Sequence, residues 1–95
     1  MSKIHEIWKY PVAITDLQTI KMPHDSLILS VQVQGESAVL WAVINPDAKL
    51  VERHFRLVGT GHTIYCEIDT LVYVGTFQIY NGALVFHLFE QITTK

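Results

Sequence analysis

Between Ser26 and Ile44 the chain reads S-L-I-L-S-V-Q-V-Q-G-E-S-A-V-L-W-A-V-I, two apolar runs on either side of Gly35-Glu36. A Gly-X pair suits a two-residue type II′ turn, because glycine accepts the positive φ of its first central position. Such a turn sets Gln34 opposite Ser37 and predicts the pairs Val33–Ala38, Val31–Leu40, Leu29–Ala42 and Leu27–Ile44 on one face. That face is apolar throughout and reads as core. The other face, with Gln32–Val39, Ser30–Trp41 and Ile28–Val43, is mixed and holds a tryptophan.

A second hairpin runs from Leu71 to Gln91 around Asn81-Gly82, a strong type I′ signal. It predicts Tyr80–Ala83, Ile79–Leu84, Gln78–Val85, Phe77–Phe86, Thr76–His87 and Gly75–Leu88. Ile79, Phe77, Leu84, Phe86 and Leu88 make an apolar face, expected to pack on that of the first hairpin. Val74, Thr76, Gln78, Val85, His87 and Phe89 make a mixed one. A glycine in mid-strand, Gly75, marks a bend or the close approach of another backbone.

Shorter segments fill the remainder. Glu6–Tyr10 reads as a strand ended by Pro11, with Trp8 and Tyr10 on the Glu6 side and Ile7 and Lys9 opposite. Gln18–Met22 reads as another, closed by Pro23. Lys49–Val58 alternates, placing Val51, Arg53, Phe55 and Leu57 on one side and Glu52, His54, Arg56 and Val58 on the other. An irregular stretch follows from Gly59 to about Asp69. No segment of ten or more residues shows an apolar period of 3.6. The pattern predicts one all-β domain over residues 1–95, with little or no helix. About seven short antiparallel strands would form either a small barrel or a two-sheet sandwich.

Composition narrows the function classes. A hydrophobic fraction of 49% in 95 residues supports a core and excludes disorder. With 7 Lys and Arg and a net charge of −2, the chain lacks the basic footprint of a non-specific nucleic-acid binder. Cys66 is the only cysteine, so no intrachain disulfide forms and a reducing cytoplasm is expected. The first residues lack the apolar core of a signal peptide, and no apolar run approaches the ~20 residues that span a bilayer.

Chemistry concentrates after the fifth strand. In Gly59-Thr60-Gly61-His62, two glycines around a threonine can turn successive N–H groups inward to hold an anion. His62, with Arg53 or Arg56 from the preceding strand, would add charge-assisted contacts, and Tyr65 or Trp41 would stack on a base. The plainer reading is a strand-ending turn with His62 exposed. His5, His24, His54, His62 and His87 form no H-x-x-x-H or H-x-H pair, so no metal site and no cofactor are expected. Cys66 lies beside Glu67 and Asp69 and has no electropositive flank of the kind that activates a thiol, and an enzyme is not expected. The face of Trp41, Val39, Val43 and Ile28 is either covered by Trp8 and Tyr10 or exposed as an interaction patch.

One resemblance spans nearly the whole chain. The segments K-Y-P-V-A-I-T-D-L-Q-T-I-K-M-P (9–23), L-S-V-Q-V-Q (29–34), L-W-A-V (40–43), F-R-L-V-G-T-G-H (55–62), Y-V-G-T-F (73–77) and L-V-F-H-L-F-E (84–90) resemble small proteins of phages, prophages and plasmids. Those proteins form a family of unknown function. The resemblance implies a cytoplasmic accessory role for a virus or mobile element and brings no catalytic residues. By analogy of size and source it suggests counter-defence: sequestering a small anionic ligand such as a signalling nucleotide, or binding a host or phage protein through an apolar sheet face. A homo-oligomer is expected in either case.

Overall fold

The computed structural model of the chain describes residues 4–92. Its seven strands are β1 (Glu6–Pro11), β2 (Leu17–Pro23), β3 (Leu27–Gln34), β4 (Ser37–Ile44), β5 (Leu50–Gly59), β6 (Leu71–Ile79) and β7 (Leu84–Gln91). A 3₁₀ turn at Ile68–Thr70 is the one helical element among the described residues. The strands form a three-stranded sheet, β1-β4-β3, and a four-stranded sheet, β2-β5-β7-β6, antiparallel throughout. The sheets do not close into a barrel. They face each other across a core to which Val31, Ala38 and Leu40 come from the first sheet and Met22, Phe55, Leu57, Phe77, Ile79 and Leu88 from the second.

Both hairpin turns form as their residues dictate. Gly35 takes φ +65 and joins Gln34 to Ser37. Asn81 and Gly82 take φ +56 and +87, and the Ala83 N–H donates to the Tyr80 carbonyl at 3.0 Å. Tyr80 itself sits at φ +54, an unusual value for a bulky side chain. From Ile79–Leu84 to Gly75–Leu88 the register is the predicted one.

Each hairpin departs from its predicted register at a bulge. In β3 the shift falls between Ile28 and Ser30, so Ile28 pairs with Ala42 and Leu27 with Val43. One extra residue reverses the side to which everything before it points. Ile28 therefore packs on the core instead of sharing the outer face with Trp41, while Leu27 and Leu29 lie 61% and 45% exposed instead of buried. In β6 the shift falls between Tyr73 and Gly75, and Val74 turns in to the core rather than out.

At Gly75 the two sheets come close together. A Cβ placed there would lie 2.9 Å from Val31 Cγ1, with the Val31 backbone N and O at 3.8 Å. Valine is stiff at χ1 and cannot swing clear cheaply. We expect Gly75→Ala to destabilise by about 1–3 kcal/mol through overpacking, and to cost less where Val31 is already alanine. Urea unfolding of the double-mutant cycle measures both.

Tyr10 points to the core side of β1, and its hydroxyl is buried with no hydrogen-bond partner among the described residues. Burial pushes its phenol above the ordinary tyrosine value. The folded state thus holds this proton more tightly than the unfolded state. Its contribution is complete below the unfolded pKa and is lost as pH rises through the folded one. Tyr10→Phe should flatten this alkaline loss and leave neutral-pH stability equal or about 1 kcal/mol higher, read by urea unfolding at neutral and alkaline pH.

Candidate functional site

The Gly59–His62 segment is a hydrogen-bonded turn. The His62 N–H donates to the Gly59 carbonyl at 3.0 Å, and the Thr60 N–H to the Val85 carbonyl of β7 at 3.1 Å. Gly61 supplies the positive φ, +88. Two of the amides in the segment, those of Thr60 and His62, are therefore occupied within the protein. Gly59 has a separate role. A Cβ on it would lie 2.9 Å from two atoms of the His62 ring, so its bare backbone is what lets the imidazole lie against the strand end.

Around that ring is a groove of about 430 Å³, lined by Arg56, Gly59, Gly61, His62, Tyr65 and Asp16 among others. Five of the seven ligand-binding residues expected from the sequence line it. Arg56 is half-buried on the outer face of β5. Its Nε donates to Gln91 Oε1 at 3.1 Å, and Gln91 Nε2 donates in turn to Thr70 Oγ1 at 2.6 Å. That chain aims the guanidinium, whose Nη groups have no partner among the described residues. His62 and Tyr65 are exposed beside it, Tyr65 at 84%.

Asp16 is a charged lining residue that sequence reasoning missed. It lies forty positions from Arg56, and only the β2–β5 register, with Leu17 opposite Arg56 and Leu57 N–H donating to the Asp16 carbonyl at 2.9 Å, brings it there. No local motif announces that pairing. With Arg56 it gives the lining of the groove one acid and one guanidinium.

The model of one family, the domain of unknown function DUF7352, matches residues 3–95 of this chain. The chain belongs to that family. No curated protein and no solved structure matches it. Membership in DUF7352 assigns no activity, so the chemistry of the groove stands on its residues.

Two expected members of the site lie elsewhere in this DUF7352 fold. Arg53, three residues before Arg56, points to the opposite side of the sheet. It forms a two-pronged, partly buried ion pair with Glu90 through Nε–Oε2 and, at 2.9 Å, Nη2–Oε1. Its Nη1 also donates to the Ser26 carbonyl at 2.9 Å. The Glu90 contact holds the Arg53 pKa above its ordinary value, against the effect of burial. Arg53 thus joins the two sheets and does not reach the groove. Thr60 also turns away: its hydroxyl meets His87 Nε2 at 2.7 Å, His87 Nδ1 meets Thr76 Oγ1 at 2.9 Å, and Thr76 meets the Tyr73 hydroxyl at 2.6 Å.

The outer face of the three-stranded sheet is not covered by Trp8 and Tyr10. Strand β1 lies beside β4 in the same sheet and forms no lid. Trp8 and Tyr10 point to the core side, and Trp41 is flanked by Ile7 and by Lys9, whose Nζ lies 5.8 Å over its ring. Val39 is buried, and Trp41 and Val43 are half-buried. Cys66 is half-buried in the loop. Among the described residues no three His, Cys, Asp or Glu side chains gather as a metal ion needs, and no helix is long and apolar enough to cross a membrane.

The two arginines should separate cleanly. Arg53→Ala leaves Glu90 partly buried and unpaired and is expected to cost about 2–4 kcal/mol, whereas Arg56→Ala stays within about 1 kcal/mol of wild type. Chemical denaturation of the two variants checks this, and equal losses would refute the division of roles.

Proposed function

We propose that the protein is a non-enzymatic binding module that sequesters a small anionic ligand of the nucleotide class, as a cytoplasmic counter-defence factor of a phage or other mobile element. The observation that carries the reading is the convergence of Arg56, His62, Tyr65 and Asp16 on one groove of about 430 Å³, within the range of small-molecule sites. Arg56 offers paired N–H donors of the geometry that suits a phosphate. The exposed Tyr65 ring offers a stacking surface for a base. The Asp16 carboxylate accepts from an amino or ribose hydroxyl group and disfavours a dense polyanion. The setting in a mobile element rests on the resemblance of the sequence segments alone.

Isothermal titration against cyclic and ADP-ribose-type nucleotides tests this reading. Binding should fall about 10–100-fold in Arg56→Ala, the scale of a charge-assisted hydrogen bond, with the fold intact. Silence across the panel would sink the nucleotide reading.

A second reading has its own support. The register row Leu27–Val43–Ile7 crosses the outer face of the three-stranded sheet, with Leu29 and Trp41 beside it. Ile7 and Leu27 are each 61% exposed. Apolar exposure of this kind suits a host or phage protein. Equal recovery of every partner from a host lysate by wild type and Trp41→Ala would count against it.

A further inference from the structure

The hydrogen-bonding parity of β1 decides which of its backbone groups face outward. The Val12 N–H donates to the Ala38 carbonyl at 3.0 Å, and the register continues from there with Pro11 opposite Val39 and Tyr10 opposite Leu40. Bonded and unbonded positions alternate in an antiparallel pair. Tyr10, Trp8 and Glu6 therefore bond to β4, while Pro11, Lys9 and Ile7 turn their backbone groups away from it. The first hairpin gives the same parity from the other side. Its two-residue turn makes Gln34–Ser37 a bonded pair, so Val39 and Trp41 bond to β3 and leave Ala38, Leu40 and Ala42 for β1.

Strand β1 ends its sheet, so the N–H and C=O of Ile7 and Lys9 meet no other strand among the described residues. Pro11, which has no N–H, closes the open stretch. A lysine on an edge strand normally keeps other chains away. Lys9 does not stand guard in this way. Its Nζ donates to Gln34 Oε1 at 2.6 Å and lies over Trp41, drawn back across its own sheet. Ile7 and Trp8, at the middle of the edge, stay 61% and 38% exposed on opposite faces. Of the other three edge strands, β3 and β6 lie against each other at Val31 and Gly75, and β2 keeps an exposed Lys21 and holds its Thr19 hydroxyl on His54 at 3.0 Å.

We propose that β1 pairs antiparallel with β1 of a second copy of this chain, about a two-fold axis through Trp8. That register sets Ile7 of each copy opposite Lys9 of the other, and the two reciprocal pairs use all four outward groups of each strand's Ile7 and Lys9. Trp8 faces its own counterpart at the unbonded position, where side chains come closest. Glu6 faces Tyr10. The edge is self-complementary because the outward positions lie symmetrically about Trp8, as an isologous contact requires. The result is a continuous sheet of order β3-β4-β1-β1-β4-β3, which joins the two outer apolar faces side by side.

Substitution at Ile7 tests the register as well as the contact. A residue there lies opposite Lys9 of the second copy, so Ile7→Lys sets like charges across the strands and Ile7→Glu sets opposite ones. Sedimentation equilibrium should show a wild-type dimer, with Ile7→Lys dissociating about tenfold or more readily than Ile7→Glu. Circular dichroism should show both variants folded. In the wild type, hydrogen exchange should slow at the Ile7 and Lys9 amides as protein concentration rises. A monomer at every concentration would overturn the proposal, including one that bound an extended peptide from another protein at this edge. Equal weakening by both substitutions, the mark of sheets stacked face to face, would overturn it too.

Discussion

The two sheets share no hydrogen-bonded pair of strands, so their union rests on side-chain burial and on one close approach. That approach is Gly75 against Val31, at the seam where β6 meets β3. Both seam strands carry a bulge, at Val74 and at Leu29, and bulges bend a strand and sharpen its twist. The sheets can converge at this seam because one strand lacks a side chain at the point of contact. The start of β3 is tied down differently. There the Arg53–Glu90 pair on the four-stranded sheet reaches the Ser26 carbonyl at the entrance to β3. One contact is steric and the other a charge-assisted hydrogen bond.

The candidate groove follows from that frame. Strand β5 presents Arg53 inward and Arg56 outward, and the inward arginine is taken up by the architecture. The outward one is held by Gln91 and Thr70 at its Nε and keeps its other donors for a ligand. From the end of β5 the chain crosses the outer face of its sheet, passing β7 before it enters β6 as that sheet's edge strand. The turn that begins this crossing supplies Gly61, His62 and Tyr65, and Ile64 of the same segment settles near Val58 and Phe89. The groove is thus the angle between a strand and the crossover that leaves it.

Much of the fold was legible in the residues, and the failures have physical causes. Gly35-Glu36 and Asn81-Gly82 specify turns whose geometry sets register for several pairs on either side. That register fails at Leu29 and Val74, ordinary apolar residues in apolar runs, where nothing local distinguishes a bulge from a regular strand. Alternation along β5 already set Arg53 with Phe55 and Leu57, and a stricter reading of that parity would have removed it from the anion site. The partner that claims it, Glu90, lies 37 positions away. Asp16 is a similar case, because its place beside Arg56 depends on the pairing of two strands whose connection passes through the other sheet. The glycines of 59–62 provide room for the His62 ring at Gly59 and a positive φ at Gly61.

The position of β7 has a consequence for the order of assembly. It follows β6 in the chain and yet lies between β5 and β6, and among the described residues β6 hydrogen-bonds to no other strand. While the chain emerges from a ribosome, β1, β4 and β3 can complete their sheet as soon as Ile44 is free, because every partner is already present. The second sheet has no such early form. Until Leu84–Gln91 appears, β2 and β5 make an isolated pair, β6 has no partner, and the apolar faces of both sheets lack most of their cover. The three-stranded sheet is thus a scaffold that must wait, and the strand it waits for is made after the other six.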